Sequence, residues 1–241
     1  MPFLFGFPDF MTSKNAMRRP TAYQANCRDC PRLATFLDYV KDKYPSYFCK
    51  PVPSFGVAKP ALLIVGLAPG MHGANRTGRA FTGDDAGTLL YSTLHKFGFA
   101  DRADAVTTDD GMKLIDCRIT NAVKCLPPKN KPDTAEIRVC NKFLRAELAG
   151  TARQTVILAL GGIAHSAVLM AAGIRSGAYK FEHGAEHRLA NGHVLIDSYH
   201  CSRYNTNTRR LTESMFHDVF TAIRARLNSK TAPQGTICSE T

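Results

Sequence analysis

Residues Ala61 to Leu67 read Ala-Leu-Leu-Ile-Val-Gly-Leu, a continuous apolar run of strand length. A strand with one wet face alternates polar and apolar residues. This run does not, so it belongs to a strand buried on both faces, as in a parallel sheet covered by helices. Ile115 to Val123 (IDCRITNAV), Thr155 to Leu160 (TVILAL) and His193 to Tyr199 (HVLIDSY) read the same way. Helical spacing follows each run: Ala86 to Phe97, Asp133 to Leu148, Gly162 to Ala172 and Leu211 to Leu227. Asp133 or Thr134, with Glu136 shortly after, supplies a helix start signal. The alternation predicts a three-layer α/β/α domain around a central four-stranded parallel sheet. Such folds bind ligands beyond the carboxyl ends of their strands. Attention therefore falls on Gly66–Gly87, Asn121–Asn130 and His200–Asn207, which follow the first, second and fourth runs.

The chain has 241 residues, 44% of them hydrophobic and 21% charged, the profile of an ordinary globular protein. No apolar run reaches the roughly 18–20 residues of a membrane helix, and the apolar start, Met1 to Phe10, lacks the basic flank and cleavage site of a signal peptide. A cytoplasmic monomer is expected, with an N-terminal extension over 1–23, one domain over 24–228 including a helix from about Pro31 to Lys43, and a tail over 229–241. The net charge of +11 fits either a basic protein kept soluble by its charge or one with a polyanionic partner, most often nucleic acid.

The segment Gly66 to Gly87 (GLAPGMHGANRTGRAFTGDDAG) carries six glycines in 22 residues, which let the backbone approach a ligand closely. It is neither a phosphate loop nor GxGxxG. Phe81 is a lone aromatic in this polar stretch and a natural stacking platform for a planar base. Asp84 opens the next helix, either as an ordinary N-cap or as a carboxylate that holds and polarises a water.

There are eight cysteines. Cys27 and Cys30 form a CxxC without the βαβ context of a thioredoxin motif. With Cys125 and Cys140 they make a quartet that satisfies the coordination number of tetrahedral zinc or of a cubane cluster, although a simple zinc ribbon fits the spacing poorly. Cys49, Cys117, Cys201 and Cys238 have no paired spacing and read as free thiols. His183 and His187 stand at the i, i+4 spacing of a metal pair, but Gly184 argues against a helix there, and the two are expected to shape the pocket rim or bind phosphate.

Three segments, Ala61–Gly87, Ile119–Pro132 (ITNAVKCLPPKNKP) and Ser198–Thr212 (SYHCSRYNTNTRRLT), resemble the hallmark motifs of the iron-sulfur uracil-DNA glycosylases, and of their type-five branch in particular. The resemblance runs from about Cys27 to Phe220. It implies a 4Fe-4S cluster on Cys27, Cys30, Cys125 and Cys140 with a structural role. It implies that Phe81 stacks on an extruded base above the turn Gly66, Leu67, Ala68, Pro69 and Gly70. Type-four relatives carry a catalytic Glu at the Leu67 position. Leu67 cannot activate water, and in the type-five branch that task falls to the Asp of FTGD, here Asp84. Asn130 is similar to a second polar group of that pocket, and His200 to the His that stabilises charge on the leaving base.

Two positions depart from the family pattern. The last motif reads His200-Cys201-Ser202 where Pro or Val usually stands at the middle position. Asn121 stands where many type-five members have Ala, and either reads the base edge, sharpening uracil preference, or satisfies backbone groups at a strand end.

The resemblance implies DNA containing uracil or other deaminated bases as the partner. The base must be flipped out of the duplex. Arg76, Arg79, Lys129, Lys131, Arg203, Arg209 and Arg210, with Ser202 and Asn205, are the candidates for gripping the strand. No Lys in the motifs stands out as a Schiff-base nucleophile, so a monofunctional hydrolysis is expected, with Lys124 and Lys129 left as alternative nucleophiles. The rival readings are a strict type-four uracil enzyme and a non-catalytic iron-sulfur protein that binds nucleic acid or senses redox state.

Overall fold

The computed structural model describes residues 22–229. The proposed N-terminal extension and C-terminal tail, with Cys238, therefore lie almost wholly outside the described residues. Six strands form one sheet: β1 (Phe55–Gly56), β2 (Leu62–Gly66), β3 (Cys117–Asn121), β4 (Val156–Leu160), β5 (Glu186–Arg188) and β6 (Val194–Ser198). Their order is β1-β3-β2-β4-β6-β5. The four predicted strands are the central parallel ones, and the two short edge strands pair antiparallel. Both edges escape sequence reading because strands of two and three residues carry no usable alternation.

Among the described residues there are seven α-helices, α1 (Pro31–Lys43), α2 (Ala74–Thr77), α3 (Asp85–Lys96), α4 (Thr134–Ala149), α5 (Gly162–Ala171), α6 (Arg203–Asn207) and α7 (Glu213–Asn228), of which α3 and α7 cover one face of the sheet and α4 and α5 the other. Successive strand residues point to opposite faces. Leu62 and Ile64 pack with Leu90 and Leu94 of α3 and Phe216 and Phe220 of α7. Leu63 and Val65 pack with Leu144 and Leu148 of α4 and Ala164 and Val168 of α5. This two-sided burial is what the unbroken apolar run required.

The chain passes from β2 to β3 on one side and later to β4 on the other. The sheet therefore has its topological switch point between β2 and β4, where a crevice opens beyond the strand ends. Helix α1 packs outside this core. Its Leu33 joins Val123, Phe143 and the cysteines Cys27, Cys30, Cys125 and Cys140 in a separate cluster. Arg32 of α1 donates to both oxygens of Glu136, at 2.8 and 2.7 Å. Glu136 also accepts from the Asp133 N–H at 2.7 Å, closing the predicted start of α4.

Candidate active site

A cavity of roughly 460 Å³ occupies the switch-point crevice, within the usual range for a small-molecule or base pocket. Its wall is formed by Leu67–Gly70 after β2, Phe81, Asp84 and Asp85 at the start of α3, Asn121 at the end of β3, Asn130, Leu160–Ile163 after β4, and His200, Ser202 and Arg203 after β6. Segments more than a hundred residues apart in sequence meet here because parallel strands deliver all their carboxyl ends to one side.

Phe81 holds a φ of 54°, a left-handed conformation unusual for an aromatic residue and one that indicates strain held by the surroundings. Its ring is stacked with His200, centroids 5.9 Å apart at 27°. Gly66 lies against Phe81 and Asn121 rather than on the wall. A Cβ there would stand 2.4 Å from Asn121 Oδ1 and 2.7 Å from the Phe81 ring, so only glycine lets the two converge.

Asp84 stands at both a helix start and the cavity wall. It is the N-cap of α3, with Oδ1 accepting from the Gly87 N–H at 3.0 Å. It also lines the cavity, with Oδ2 lying against the backbone of Gly70 and Gly73. Burial raises its carboxyl above the ordinary range, opposed by the Gly87 N–H. A Cβ on Gly73 would sit 2.0 Å from Asp84 Oδ2. Gly73→Ala is therefore expected to turn the carboxylate out of place and to slow the reaction at this cavity on the order of a hundredfold, with ligand binding retained. Single-turnover rates alongside a binding titration check it.

His200 is depressed by burial to about 4, so its imidazole is neutral at pH 7. Its Nδ1 and the Asn121 Oδ1 are buried and make no hydrogen bond among the described residues. Unpaired buried polar atoms are costly, and both belong to side chains that line the cavity, where a ligand can satisfy them. The Asn205 amide donates to the His200 carbonyl at 2.8 Å, and the Cys201 thiol points at the Ala86 carbonyl at 3.5 Å. Asn205 thus braces the His200 loop from within, and Cys201 ties that loop to the start of α3.

Other expectations are revised by the geometry. Arg79 is not free to grip DNA. It is buried and donates to both oxygens of Asp110, at 2.8 and 2.6 Å, anchoring the 101–113 loop to the glycine-rich segment. Arg210 lies over the Tyr199 ring at 4.8 Å but stays exposed. Arg76, Lys129, Lys131, Arg203 and Arg209 are likewise exposed. Lys124 is buried against Glu147 at 2.7 Å, away from the cavity wall, and is not placed to act as a nucleophile. Neither His183 nor His187 lines the cavity: His183 accepts from the Tyr199 N–H at 3.1 Å, and His187 lies on β5.

Sequence reading missed two features of the rim. Gly161, Gly162 and Ile163 close the wall after β4, although the rule applied to the other three strand ends would have found them. Tyr204, beside the lining residues Ser202 and Arg203, exposes 72% of its surface.

The four cysteines line one small cleft with Leu33, Val123, Phe143 and Lys142. Burial and the neighbouring thiols push Cys30 up to about 11, and burial, again with those thiols, pushes Cys125 up to about 12. The Lys124 N–H donates to Cys140 Sγ at 3.3 Å. Four sulfur donors lining one apolar cleft, with a backbone donor to one of them, fit a thiolate-ligated metal group.

The residues 53–224 match the family model of the uracil DNA glycosylase superfamily. The chain belongs to that superfamily. It is 43% identical over 198 residues to the type-5 uracil-DNA glycosylase of Thermus thermophilus, covering 80% of this chain and 90% of the relative. It is 41% identical over 198 residues to that of Pyrobaculum aerophilum, covering 80% and 86%. Similarity to the type-4 enzyme of Pyrobaculum aerophilum is 34% over 138 residues, 56% of this chain and 62% of that one.

Proposed function

We propose that the protein is a monofunctional DNA glycosylase that hydrolyses the N-glycosidic bond of uracil, and of other deaminated bases such as hypoxanthine, and so initiates base excision repair. The observation that carries this is the convergence of Phe81, Asp84, Asn121 and His200 on one cavity beyond the strand ends. Each meets a separate demand of the reaction. Phe81 stacks on the extruded base. Asp84 holds the attacking water against a sugar that develops positive charge. Neutral His200 and the backbone of the Leu67–Gly70 turn meet negative charge on the departing base. Asn130, at the cavity edge, orients the same water.

The unsatisfied Asn121 carbonyl oxygen supports a reading of the base edge. An amide accepts from a ring N–H and donates to the adjacent carbonyl, the pattern shared by uracil and hypoxanthine. Cytosine and adenine present the reverse pattern. Uracil and hypoxanthine are thereby separated from cytosine and adenine. We also assign a 4Fe-4S cluster to Cys27, Cys30, Cys125 and Cys140. When bound, it supplies iron–thiolate cross-links that pin α1 to the loop after β3 and to α4.

Arg76, Lys129, Lys131, Arg203, Arg209 and Arg210 would meet phosphates around the mouth. Arg203 now pairs with Asp85 at 3.5 Å, an exposed contact that a phosphate can replace. Tyr204, exposed beside Ser202 and Arg203, would enter the base stack next to the flipped nucleotide. Tyr204→Ala is expected to weaken binding of a uracil-containing duplex by roughly 1–3 kcal/mol and to leave single-stranded substrate nearly unaffected, which paired binding titrations read directly.

The assignment of substrate is tested by chromatography of free base released from oligonucleotides carrying uracil, hypoxanthine, xanthine or ethenocytosine. Release of uracil is expected. Release of none of the four by cluster-loaded protein would overturn the proposal.

A further inference from the structure

Away from the cavity, three elements bring imidazole and carboxylate groups together. His165 lies in the first turn of α5, Asp197 near the end of β6, and His187 in the middle of the edge strand β5. Their nitrogen and oxygen donor atoms all lie within 4.8 Å of one another. His165 Nδ1 is 2.8 Å from one Asp197 oxygen, and His187 Nε2 is 3.1 Å from the other. His165 and Asp197 are buried, while His187 keeps an edge to the surface. None of the three lines the glycosylase cavity.

The second nitrogen of His165 faces the Tyr179 carbonyl at 3.2 Å. A carbonyl only accepts, so Nε2 carries the proton, and Nδ1 of the neutral ring presents a lone pair to the carboxylate. Two lone-pair atoms that close require a positive charge shared between them. A backbone carbonyl on the far nitrogen is also the arrangement that fixes the tautomer of metal-binding histidines. Among the described residues, Asp197 has no Lys or Arg partner, and both its ion pairs are to these histidines. The rings of Phe181, 5.8 Å from His165, and Tyr179, 5.2 Å from His187, wall the group with apolar surface.

We infer that His165, His187 and Asp197 bind one divalent transition-metal ion, with zinc the best fit. Two imidazoles and a carboxylate are a zinc donor set that leaves a further position for water, here on the side where His187 reaches the surface. The bound ion ties α5 and β5 to β6 only three residues before His200, and it takes no part in the reaction.

The test uses the full-length, cluster-loaded protein, dialysed against zinc sulfate, freed of loosely held ion and assayed for zinc and iron. One zinc per chain beyond the cluster iron is expected, together with a rise in Tm on adding zinc. His187→Gln keeps an N–H donor toward Asp197 but removes the ligand nitrogen. It is expected to lose both the zinc and the Tm rise while retaining its iron and its uracil excision. Asp197→Asn gives the same comparison if His187→Gln does not fold. A zinc-free wild type would overturn the proposal and leave His165 and Asp197 as a buried imidazolium–carboxylate pair. Zinc held undiminished by the variants would also overturn it, by placing the ion elsewhere, such as on the cysteines.

Discussion

Asp84→Asn is expected to slow single-turnover excision of uracil by roughly a hundred- to ten-thousand-fold, the span of a lost general base, while binding of uracil DNA stays nearly unchanged. The substitution is clean because the two carboxylate oxygens have separate duties. Oδ1 caps α3 through the Gly87 N–H at 3.0 Å, and an asparagine oxygen accepts that bond equally well. The helix start and the turn that carries Phe81 therefore persist. What is lost is the negative charge on Oδ2, which faces the cavity across Gly70 and Gly73. The pH profile carries a second signature. Burial raises the Asp84 carboxyl, so its carboxylate form is lost at a higher pH than that of an exposed aspartate as pH falls. His200 is depressed to about 4 and is neutral at neutral pH. An acid limb of kcat/KM set by Asp84 should vanish from whatever activity Asp84→Asn retains.

Cys125→Ser is expected to cost the protein its brown colour, with loss of the broad absorption at about 400 nm that iron–thiolate ligation gives, and to lower its thermal midpoint by many degrees. Cys27 and Cys125 lie about a hundred residues apart, and a cross-link closing a loop of that length contributes roughly 5 kcal/mol by restricting the unfolded chain. Less is available locally to replace it. The two clusters that seat α1, Leu33 with Val123, Phe143 and Cys140, and Leu37 and Val40 with Cys49 and Leu126, are small and separate from the two sheet cores, so the metal group is expected to carry a large share of its attachment. Absorption spectra, iron content and a thermal melt measure the effect. A colourless wild type holding stoichiometric zinc on its cysteines would contradict the assignment of the cluster.

The sequence made the centre of this fold legible for a physical reason. Parallel strands covered on both faces cannot alternate, so Leu62–Gly66 and Val156–Leu160 announce themselves as apolar runs. The same logic is silent at the edges, where Glu186–Arg188 is polar, short and held by its neighbour. Within the site, Phe81, Asp84 and His200 were visible because each follows a strand in a segment rich in glycine or polar residues. Arg79 misled because charge alone does not distinguish a surface arginine from a buried one. Its partner Asp110 lies 31 residues further on, in a loop without a pattern. Asn205 looked like a strand-gripping amide for a similar reason, and its use as a brace for the His200 carbonyl needs the folded turn to be seen. The meeting of His165, His187 and Asp197 is wholly tertiary. The i, i+4 spacing of His183 and His187 carried no information about these contacts, because β5 is a strand in which His187 finds its partners on α5 and β6.

In the proposed reaction the cavity at the strand ends accepts a base flipped out of DNA and releases it by hydrolysis. Incubation of the cluster-loaded protein with an end-labelled duplex carrying a single uracil, beside the same duplex carrying thymine, followed by hot alkali, tests this. Strand scission is expected at the uracil position only, and only after alkali, because a monofunctional enzyme leaves an intact backbone with an abasic site. An uncut uracil strand, or scission before alkali, would contradict it.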